Sequence, residues 1–207
     1  MKNINLENPY VKWIGGTFLL VLFILLVLIM RLKLAQDRAI QACTKAFGSM
    51  DDVQKDAIRQ IVAAFHRYGD GDPNKLAYIL ATAWHESSLR PIQERQAAPN
   101  QTDLYNKQAR YWHTGYYGRG FVQLTWKENY QKMSTALGLD LVARPELALH
   151  PTYAARILVY GMMNGSFTGI PLSKFINPQQ QDFYQARLVV NGLDRAERIE
   201  QYAQFLV

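Results

Sequence analysis

The feature that most constrains this chain is an uncharged run between Lys12 and Arg31. The run carries no charged residue from Trp13 to Met30, and every side chain from Leu19 onward is apolar. As a helix, its eighteen residues would rise about 27 Å, close to the roughly 30 Å hydrocarbon core of a bilayer. A core helix would show a polar face, which this run lacks. The run therefore predicts a transmembrane helix at about 13–30, within an N-terminal segment 1–32.

A cleaved signal peptide is the competing interpretation of this run. Its apolar region would be shorter, and a small-residue cleavage site should follow it. Arg31-Leu32-Lys33-Leu34 offers no such site, which favours an uncleaved anchor. Tyr10 and Trp13 lie where an interfacial aromatic belt is expected, and Arg31 and Lys33 can snorkel at the other end.

Length and composition bound the rest of the chain. The 207 residues leave room for one ordinary domain, which we place at 51–207, after a partly helical juxtamembrane linker at 33–50. The single cysteine, Cys43, excludes an intramolecular disulfide; it could cross-link two copies, but an inert small residue is the favoured interpretation. The net charge of +6 indicates anionic surroundings, such as cell-wall polymer or lipid headgroups. No basic cluster is dense enough to favour nucleic acid.

Helical periodicity dominates the region after the linker. One helix is capped by Asp51 or Asp52 and has apolar residues at helical spacing over 53–65. A second begins at Asp72-Pro73 and ends near Glu86. Further helical patterns occupy 127–137, 151–164, 171–176, 179–190 and 194–206, whereas 88–118 predicts loops, a short helix and a small hairpin. The fold class is therefore mostly α with a minor β element.

Two glutamates follow the second helix. Glu86 lies near apolar residues of its own helix, and partial shielding from water favours the neutral acid that can protonate a leaving oxygen. Glu94, eight residues later, is the candidate for a second carboxylate, and Asp103 is a weaker one. Two carboxyl groups flanking a bond are what hydrolysis of a glycosidic linkage requires. Each glutamate could alternatively be an ordinary surface charge.

A polar segment framed by glycines, Tyr116–Trp126, follows the glutamates. Gln123 and Thr125 would alternate along a short strand and face the same side, where they could hold a water or a sugar hydroxyl. Gly118 and Gly120 allow the backbone to approach a ligand closely. The segment predicts one wall of a groove.

Nothing in the sequence indicates a cofactor or a metal. His85 has no second histidine nearby in sequence, which argues against zinc, and we expect it to play a structural hydrogen-bonding role. Gly69-Asp70-Gly71-Asp72 resembles the start of a calcium loop but lacks the later ligands, so it predicts a turn.

Together these segments resemble glycoside hydrolase family 19, which includes chitinases and phage endolysins of the lysozyme superfamily. The resemblance spans about residues 52–207 and rests on segments in the family's order: His85-Glu86-Ser87, Tyr116–Trp126 with Asn129-Tyr130, Arg144–Ala148, Val190–Leu193, and Arg198-Ile199 with Tyr202. It implies a helical, two-lobed α+β domain of the lysozyme type.

The resemblance also implies roles for individual residues. Glu86 would be the general acid, and Thr125 would help to hold the attacking water. The residues that would bind substrate along the cleft are Gln123, Thr125, Asn129, Tyr117, Asn191 and Arg198. The short spacing from Glu86 to Glu94 looks more like the endolysin branch, and plant chitinases carry disulfides that this chain lacks. Both departures favour peptidoglycan over chitin.

The expected function is a membrane-anchored, phage-encoded or phage-derived glycosidase that cuts peptidoglycan strands in local wall penetration or lysis. Glu86-Ser87-Ser88 followed by Pro91 also resembles lytic transglycosylases, which need only one carboxylate. A third alternative is a non-catalytic membrane-bound wall-binding or virion structural protein. The expected partners are peptidoglycan, the bilayer, and virion or membrane proteins.

Charges around the apolar run leave the topology open. Lys2 and Lys12 precede the run, and four basic residues follow it: Arg31, Lys33, Arg38 and Lys45. The positive-inside rule would keep the C-terminal part in the cytoplasm, whereas a wall-cleaving domain must reach the other side. We expect a single-pass protein of the bacterial inner membrane or a virion membrane.

Overall fold

The computed structural model describes the backbone from Pro9 onward and the side chains from Leu19 onward. The side chains of Tyr10, Trp13, Lys2 and Lys12, which entered the membrane interpretation, therefore lie outside the described residues. Within the described part, one helical stretch, Leu19–Phe47, is long and apolar enough to cross a membrane, with a mean hydropathy of 2.4 in its most apolar window. None of that window is buried inside the protein.

Helices dominate the described chain, as the sequence predicts. The α-helices are α1 Pro9–Phe47, α2 Asp52–Tyr68, α3 Pro73–Ser87, α4 Thr102–Ala109, α5 Lys127–Leu137, α6 Pro151–Met163 and α7 Ala196–Gln204. Short 3-10 helices lie at Trp112–Thr114, Pro145–Leu149, Leu172–Lys174 and Gln185–Val189. The prediction of a mostly α fold with a minor β element is confirmed.

Two apolar cores account for the lobes of the domain. The larger core joins residues of α1, α2, α3, α6 and α7, with Ile58, Tyr78 and Leu158 fully buried. The smaller core gathers around α5, where Tyr130 and Met133 pack with residues of the neighbouring segments. Because each core buries its own apolar side chains, the chain can place polar groups along the boundary between the lobes.

The first helix differs from the expected layout. Residues 33–50, interpreted as a partly helical linker, continue α1 without a break to Phe47. Ala39 and Cys43 are buried in the larger core, and Leu32 packs against it. The linker interpretation missed this continuation because it depends on packing against residues that are distant in sequence, such as Trp84.

The β elements are short. Strand β1, Ile92–Gln93, pairs antiparallel with β2, Arg119–Gly120, while β3, Ile176–Asn177, pairs with β4, Gln180–Gln181. The second pair replaces part of the helices predicted at 171–176 and 179–190. Pro178 cannot donate a backbone hydrogen bond, and the Asn177 side chain accepts one from the Gln179 N–H, so a turn forms there instead.

Candidate functional site

Glu86 lies in the last turn of α3. The helix ends just beyond it with two residues in the left-handed region, Ser88 at φ 52° and Leu89 at φ 57°. Their N–H groups bond back to the carbonyls of Trp84 and Ala83. Neither residue is glycine, and a buried leucine in this conformation carries a backbone cost of order 1–3 kcal/mol. The turn therefore directs the chain sharply away from Glu86 at the expense of local strain.

The loop after Glu86 is fastened to the start of α2. Gln54 donates from Nε2 to the carbonyl of Ser88 over 3.1 Å, and Arg90 forms an ion pair with Asp51. Asp51 is the N-cap of α2 and forms a capping box with Gln54. Arg90 and the α2 N–H groups hold the pKa of Asp51 below its usual value, the backbone bond from Gln54 contributing most. The start of α2, which is distant in sequence, thus holds the strained turn in place.

Glu86 forms an ion pair that the sequence did not reveal. Arg187 Nη1 donates to Glu86 Oε1 over 2.5 Å, while Arg187 Nε donates to the carbonyl of Asp194 over 3.1 Å. The Arg187 side chain is 3% exposed, against 22% for that of Glu86. The available signal was one arginine in the otherwise apolar stretch Ala186–Val190, which suggests a buried partner.

Glu94 is held by three hydrogen-bond donors. Its Oε1 accepts from Gln108 Nε2 at 2.8 Å and from the hydroxyl of Tyr111 at 2.6 Å. Its Oε2 accepts from the backbone N–H of Gly118 at 2.9 Å. An ionised carboxylate is an acceptor only, so this set of donors fixes both oxygens of the charged form. Asp103, the weaker candidate, is exposed in the first turn of α4.

Gln108 and Tyr111 were not predicted, although they set the orientation of Glu94. Gln108 is 2% exposed, and its Oε1 accepts from the N–H of Ala97 at 2.6 Å. Burial, together with the neighbouring Glu94 carboxylate, raises the pKa of Tyr111 well above its usual value, so its hydroxyl stays protonated and remains a donor. Sequence patterns gave no signal for either residue, because both come from the irregular region 88–118.

The segment 116–126 forms a tight turn rather than the strand we expected. Only Arg119–Gly120 is strand, and Arg119 pairs with Leu124 across the turn. Gln123 has φ 52°, so it and Thr125 do not alternate along one strand. The Gln123 amide donates to the carbonyls of Ile92 and Gly120, each at 3.0 Å. The strand prediction was wrong because only four residues lie between the paired positions Arg119 and Leu124, which leaves room only for a turn.

This turn still brings several predicted residues to the neighbourhood of Glu94. A Cβ atom on Gly118 would lie 2.8 Å from Gln123 Oε1 and 3.1 Å from Glu94 Oε2, which shows how closely the three residues meet. Thr125 donates to the carbonyl of Gln123 at 2.8 Å, and Asn129 donates to that of Thr125 at 2.8 Å. All three polar side chains, of Gln123, Thr125 and Asn129, are partly exposed.

Tyr117 belongs to a stack of flat side chains next to this turn. Its ring lies on that of Trp112, with centroids 4.3 Å apart and planes 14° from parallel. The guanidinium of Arg119 lies 4.0 Å from the Tyr117 ring centre. Cation–π contact and stacking fix the half-buried Tyr117 side chain in one orientation.

The last two predicted residues, Asn191 and Arg198, are exposed near the segment that carries Arg187. The N–H of Asn191 bonds to the Arg187 carbonyl at 3.0 Å, and Arg198 lies in the first half of α7. His85 lies close enough to nearby arginines for their charges to affect its pKa. Burial and the positive charges of Arg187, Arg198 and Arg195 lower the pKa of His85, while Glu86 opposes the shift.

Strained backbone concentrates around the candidate residues. Five described residues other than glycine have positive φ: Ser88, Leu89, Gln123, Trp126 and Arg195. Four of them flank Glu86 or lie in the turn beside Glu94, and the fifth precedes α7. Such strain persists only where surrounding contacts hold it, and it gathers at functional sites.

The described residues contain no group of three or more histidine, cysteine or acidic side chains that could hold a metal ion. At the predicted turn 69–72, the buried ammonium of Lys75 forms an ion pair with Asp70 and lies 4.0 Å from Asp72. A lysine of the chain itself thus fills the place between the two carboxylates.

Known proteins resemble this chain in sequence and in fold. The family model for glycoside hydrolase family 19, described as chitinase class I, matches residues 35–164. An endochitinase of Arabidopsis thaliana is 47% identical over 51 residues, and chitinase 11 of Oryza sativa subsp. japonica is 51% identical over 49 residues. These matches cover 24% and 23% of this chain but only 19% of each relative.

The solved structures support the fold over a longer stretch. Chitinase C from Streptomyces griseus aligns with 80% of this chain and 74% of its own, at a TM-score of 0.56 and 21% identity. A mutant of chitinase C aligns with 80% of this chain and 89% of its own, at a TM-score of 0.52 and 20% identity. The two-lobed helical arrangement is therefore shared with these proteins.

Proposed function

The chain belongs to glycoside hydrolase family 19, and we propose that it hydrolyses the glycan strands of peptidoglycan by general acid–base catalysis. The observation that supports this most strongly is the pair of differently held carboxylates. Glu94 accepts three hydrogen bonds, whereas Glu86 has one strong partner, Arg187. Two carboxyl groups in different environments are suited to different roles in one reaction.

In this proposal Glu86 is the acid. It gives its proton to the glycosidic oxygen as the bond breaks and becomes a carboxylate. The ion pair with Arg187 corresponds to the charged form that remains after this transfer, so the guanidinium stabilises the product of the proton-transfer step. After the glycan leaves, Glu86 regains a proton from solvent, and Glu94 releases to solvent the proton that it took from the attacking water.

Glu94 is the base. Its three donors fix its oxygens, so as a carboxylate it can orient a water and accept a proton from it on the opposite face of the sugar. In an inverting enzyme the two carboxyl groups lie roughly 6.5–9.5 Å apart, to leave room for that water. Gln123, Thr125 and Asn129 would bind the sugar and the water beside it.

Peptidoglycan is the proposed substrate because of three sequence features. The short spacing between the two glutamates and the single cysteine both differ from the plant enzymes, as set out above. The net charge of +6 favours attraction to an anionic wall. We also propose that the chain is phage-encoded or phage-derived, and that α1 anchors it in a membrane through about residues 13–30.

Mass spectrometry of the products tests the reaction. The full-length chain in mild detergent would be incubated with purified peptidoglycan and, separately, with chitin oligosaccharides, using Glu86→Gln as the matched control. The proposal predicts reducing-end fragments of peptidoglycan and little cleavage of chitin. Anhydro products would establish the transglycosylase alternative, and folded protein that cleaves neither polymer would support the non-catalytic one.

Membrane attachment has its own test. The uncharged helix should keep the protein in the membrane fraction through high salt and carbonate, because its attachment is hydrophobic. Recovery of most of the full-length protein in the soluble fraction would contradict the anchor. Protease protection in intact spheroplasts would show a domain that faces the cytoplasm.

A further inference from the structure

The helix proposed to enter the membrane is also part of the larger core. Gln36 Nε2 donates to the carbonyl of Arg59 on α2 over 3.1 Å, and Cys43 is fully buried. The ring of Phe47, in the last turn of α1, stacks on Trp84 of α3, with centroids 4.7 Å apart and planes 4° from parallel. The domain is consequently fixed to the anchor helix without a flexible joint.

This packing determines which end of the domain lies near the apolar run. A four-residue turn joins α1 to α2, and the bond from Gln36 to Arg59 lies further along both helices, so they run antiparallel. Nine residues from Arg59 towards the end of α2 lead to Tyr68, and nine residues from Gln36 towards the start of α1 lead to Val27. At 1.5 Å per residue both lie about 13.5 Å from the bond, so Tyr68 is level with Val27. Val27 is partly covered, unlike its neighbours in the run. The last turn of α2 is therefore level with the end of the apolar run.

Exposed cations lie at about the height where the last turn of α2 meets the end of the apolar run. Arg31 and Lys33 follow the apolar run, and Arg67 lies in the last turn of α2, with all three side chains exposed. Of the nearby carboxylates, Asp70 forms an ion pair with Lys75, which also lies 4.0 Å from Asp72, so this lysine offsets one of the two negative charges. Cations at a membrane boundary are attracted by anionic headgroups.

We propose that the last turn of α2 rests on an anionic bilayer surface, so that the membrane holds the domain at a fixed height. This rests on the proposed membrane anchor. Phe47 lies seventeen residues beyond Met30, so the stack with Trp84 stands about 25 Å above the end of the apolar run. Glu86 follows Trp84 by two residues. The cleft would thus act on glycan strands that pass at that distance from the membrane, and not over the wide range that a flexible tether would allow.

Site-directed nitroxide labelling tests this contact. Cys43 is buried, so a thiol introduced at an exposed position is labelled selectively. Arg67→Cys and its matched control Lys45→Cys would be labelled in the full-length chain. Both would be reconstituted in nanodiscs of phosphatidylcholine and phosphatidylglycerol that contain a nickel-chelating lipid. Lys45 is exposed near the opposite end of α1.

Positions 67 and 45 differ in height above the membrane by more than about 20 Å. The relaxation enhancement by headgroup nickel should therefore be at least about fivefold greater at position 67 than at position 45. Replacing phosphatidylglycerol with phosphatidylcholine should reduce the enhancement at position 67 at least about twofold, because the headgroup attraction is lost. Equal enhancement at the two positions, or no dependence on anionic lipid, would overturn the proposal.

The result can be separated from the proposed function. The same labels on a Glu86→Gln background should give the same enhancements, because contact with lipid does not require catalysis. Failure of the chain to insert into nanodiscs would reject the anchor and with it the contact. If the chain inserts and cleaves glycan but the enhancements at positions 67 and 45 are equal, only the proposed contact with lipid is rejected.

Discussion

Arg187 and Glu86, which are 101 positions apart in the sequence, form a partly buried ion pair with Nη1 and Oε1 2.5 Å apart. The same guanidinium bonds through Nε to the carbonyl of Asp194, so it ties the end of α3 to the segment that precedes α7. One buried cation therefore serves both the candidate acid and the packing of the C-terminal helix.

Replacing this arginine should destabilise the fold. Arg187→Ala removes a charge-assisted hydrogen bond to Glu86 and the bond to Asp194, and we expect a loss of about 2 kcal/mol in the free energy of unfolding. For a chain of this length that corresponds to roughly 4–8 °C in Tm, measured by thermal denaturation. Arg144→Ala, which removes an exposed pair with Asp140, is the control and should change stability by less than about 0.5 kcal/mol. Equal effects would contradict the structural role of Arg187.

The base assignment predicts the effect of Glu94→Gln. The amide keeps the shape of the side chain but cannot accept a proton from water, so kcat/KM on peptidoglycan should fall at least about a hundredfold while the fold remains. Steady-state kinetics with circular dichroism would measure both. Nearly full activity, especially with anhydro products, would favour the single-carboxylate mechanism.

The donors around Glu94 predict a smaller effect at Tyr111. Tyr111→Phe removes the 2.6 Å bond to Glu94 and frees one oxygen of the base, so kcat should fall about tenfold, equivalent to about 1.4 kcal/mol. Tyr105→Phe, at an exposed position on α4, is the control and should leave kcat unchanged. Identical kcat values for wild type and Tyr111→Phe would show that the hydroxyl does not position the base.

Cys43 should be unreactive in the folded chain. Burial raises the pKa of its thiol to about 12, and the thiolate is the reactive form. Labelling by a thiol reagent at pH 8 should be at least about a hundredfold slower in native than in denatured protein. Because the folded pKa is the higher one, stability should fall as pH rises from about 8.5 towards 12, by up to 1.36 kcal/mol per pH unit.

Cys43→Ala should remove this slope between about pH 8.5 and 10, below the ordinary pKa of tyrosine, and chemical denaturation at several pH values would measure it. Fast labelling of native protein, or disulfide-linked dimers of the folded chain, would show that the thiol is accessible.

Much of the helical framework could be predicted from local sequence. The start of α2 is one example, since its N-cap is Asp51, one of the two residues that the sequence offered, and the start of α3 at Asp72-Pro73 is another. Both helix starts depend on capping contacts between residues within one helical turn of each other. The continuation of α1 to Phe47 was missed because it depends on packing against Trp84 and Tyr202, which are distant in sequence.

The candidate site was only partly predictable for the same reason. Glu86 and Glu94 could be selected from their residue type and spacing. Arg187, Gln108 and Tyr111 enter the site through tertiary contacts that no local pattern encodes. Gln123 was predicted to line the cleft from a short strand, whereas the structure places it beside Glu94 in a turn, because its left-handed backbone is imposed by the turn and not by its own preference.

The most direct measurement of the central claim is the turnover of purified full-length Glu86→Gln on peptidoglycan, compared with wild type under identical conditions. If Glu86 is the general acid, the amide cannot supply the proton, and kcat should fall at least about a hundredfold in a protein whose circular dichroism and Tm show a native fold. A folded Glu86→Gln variant with kcat near that of wild type would contradict the assignment of the acid and the mechanism built on it.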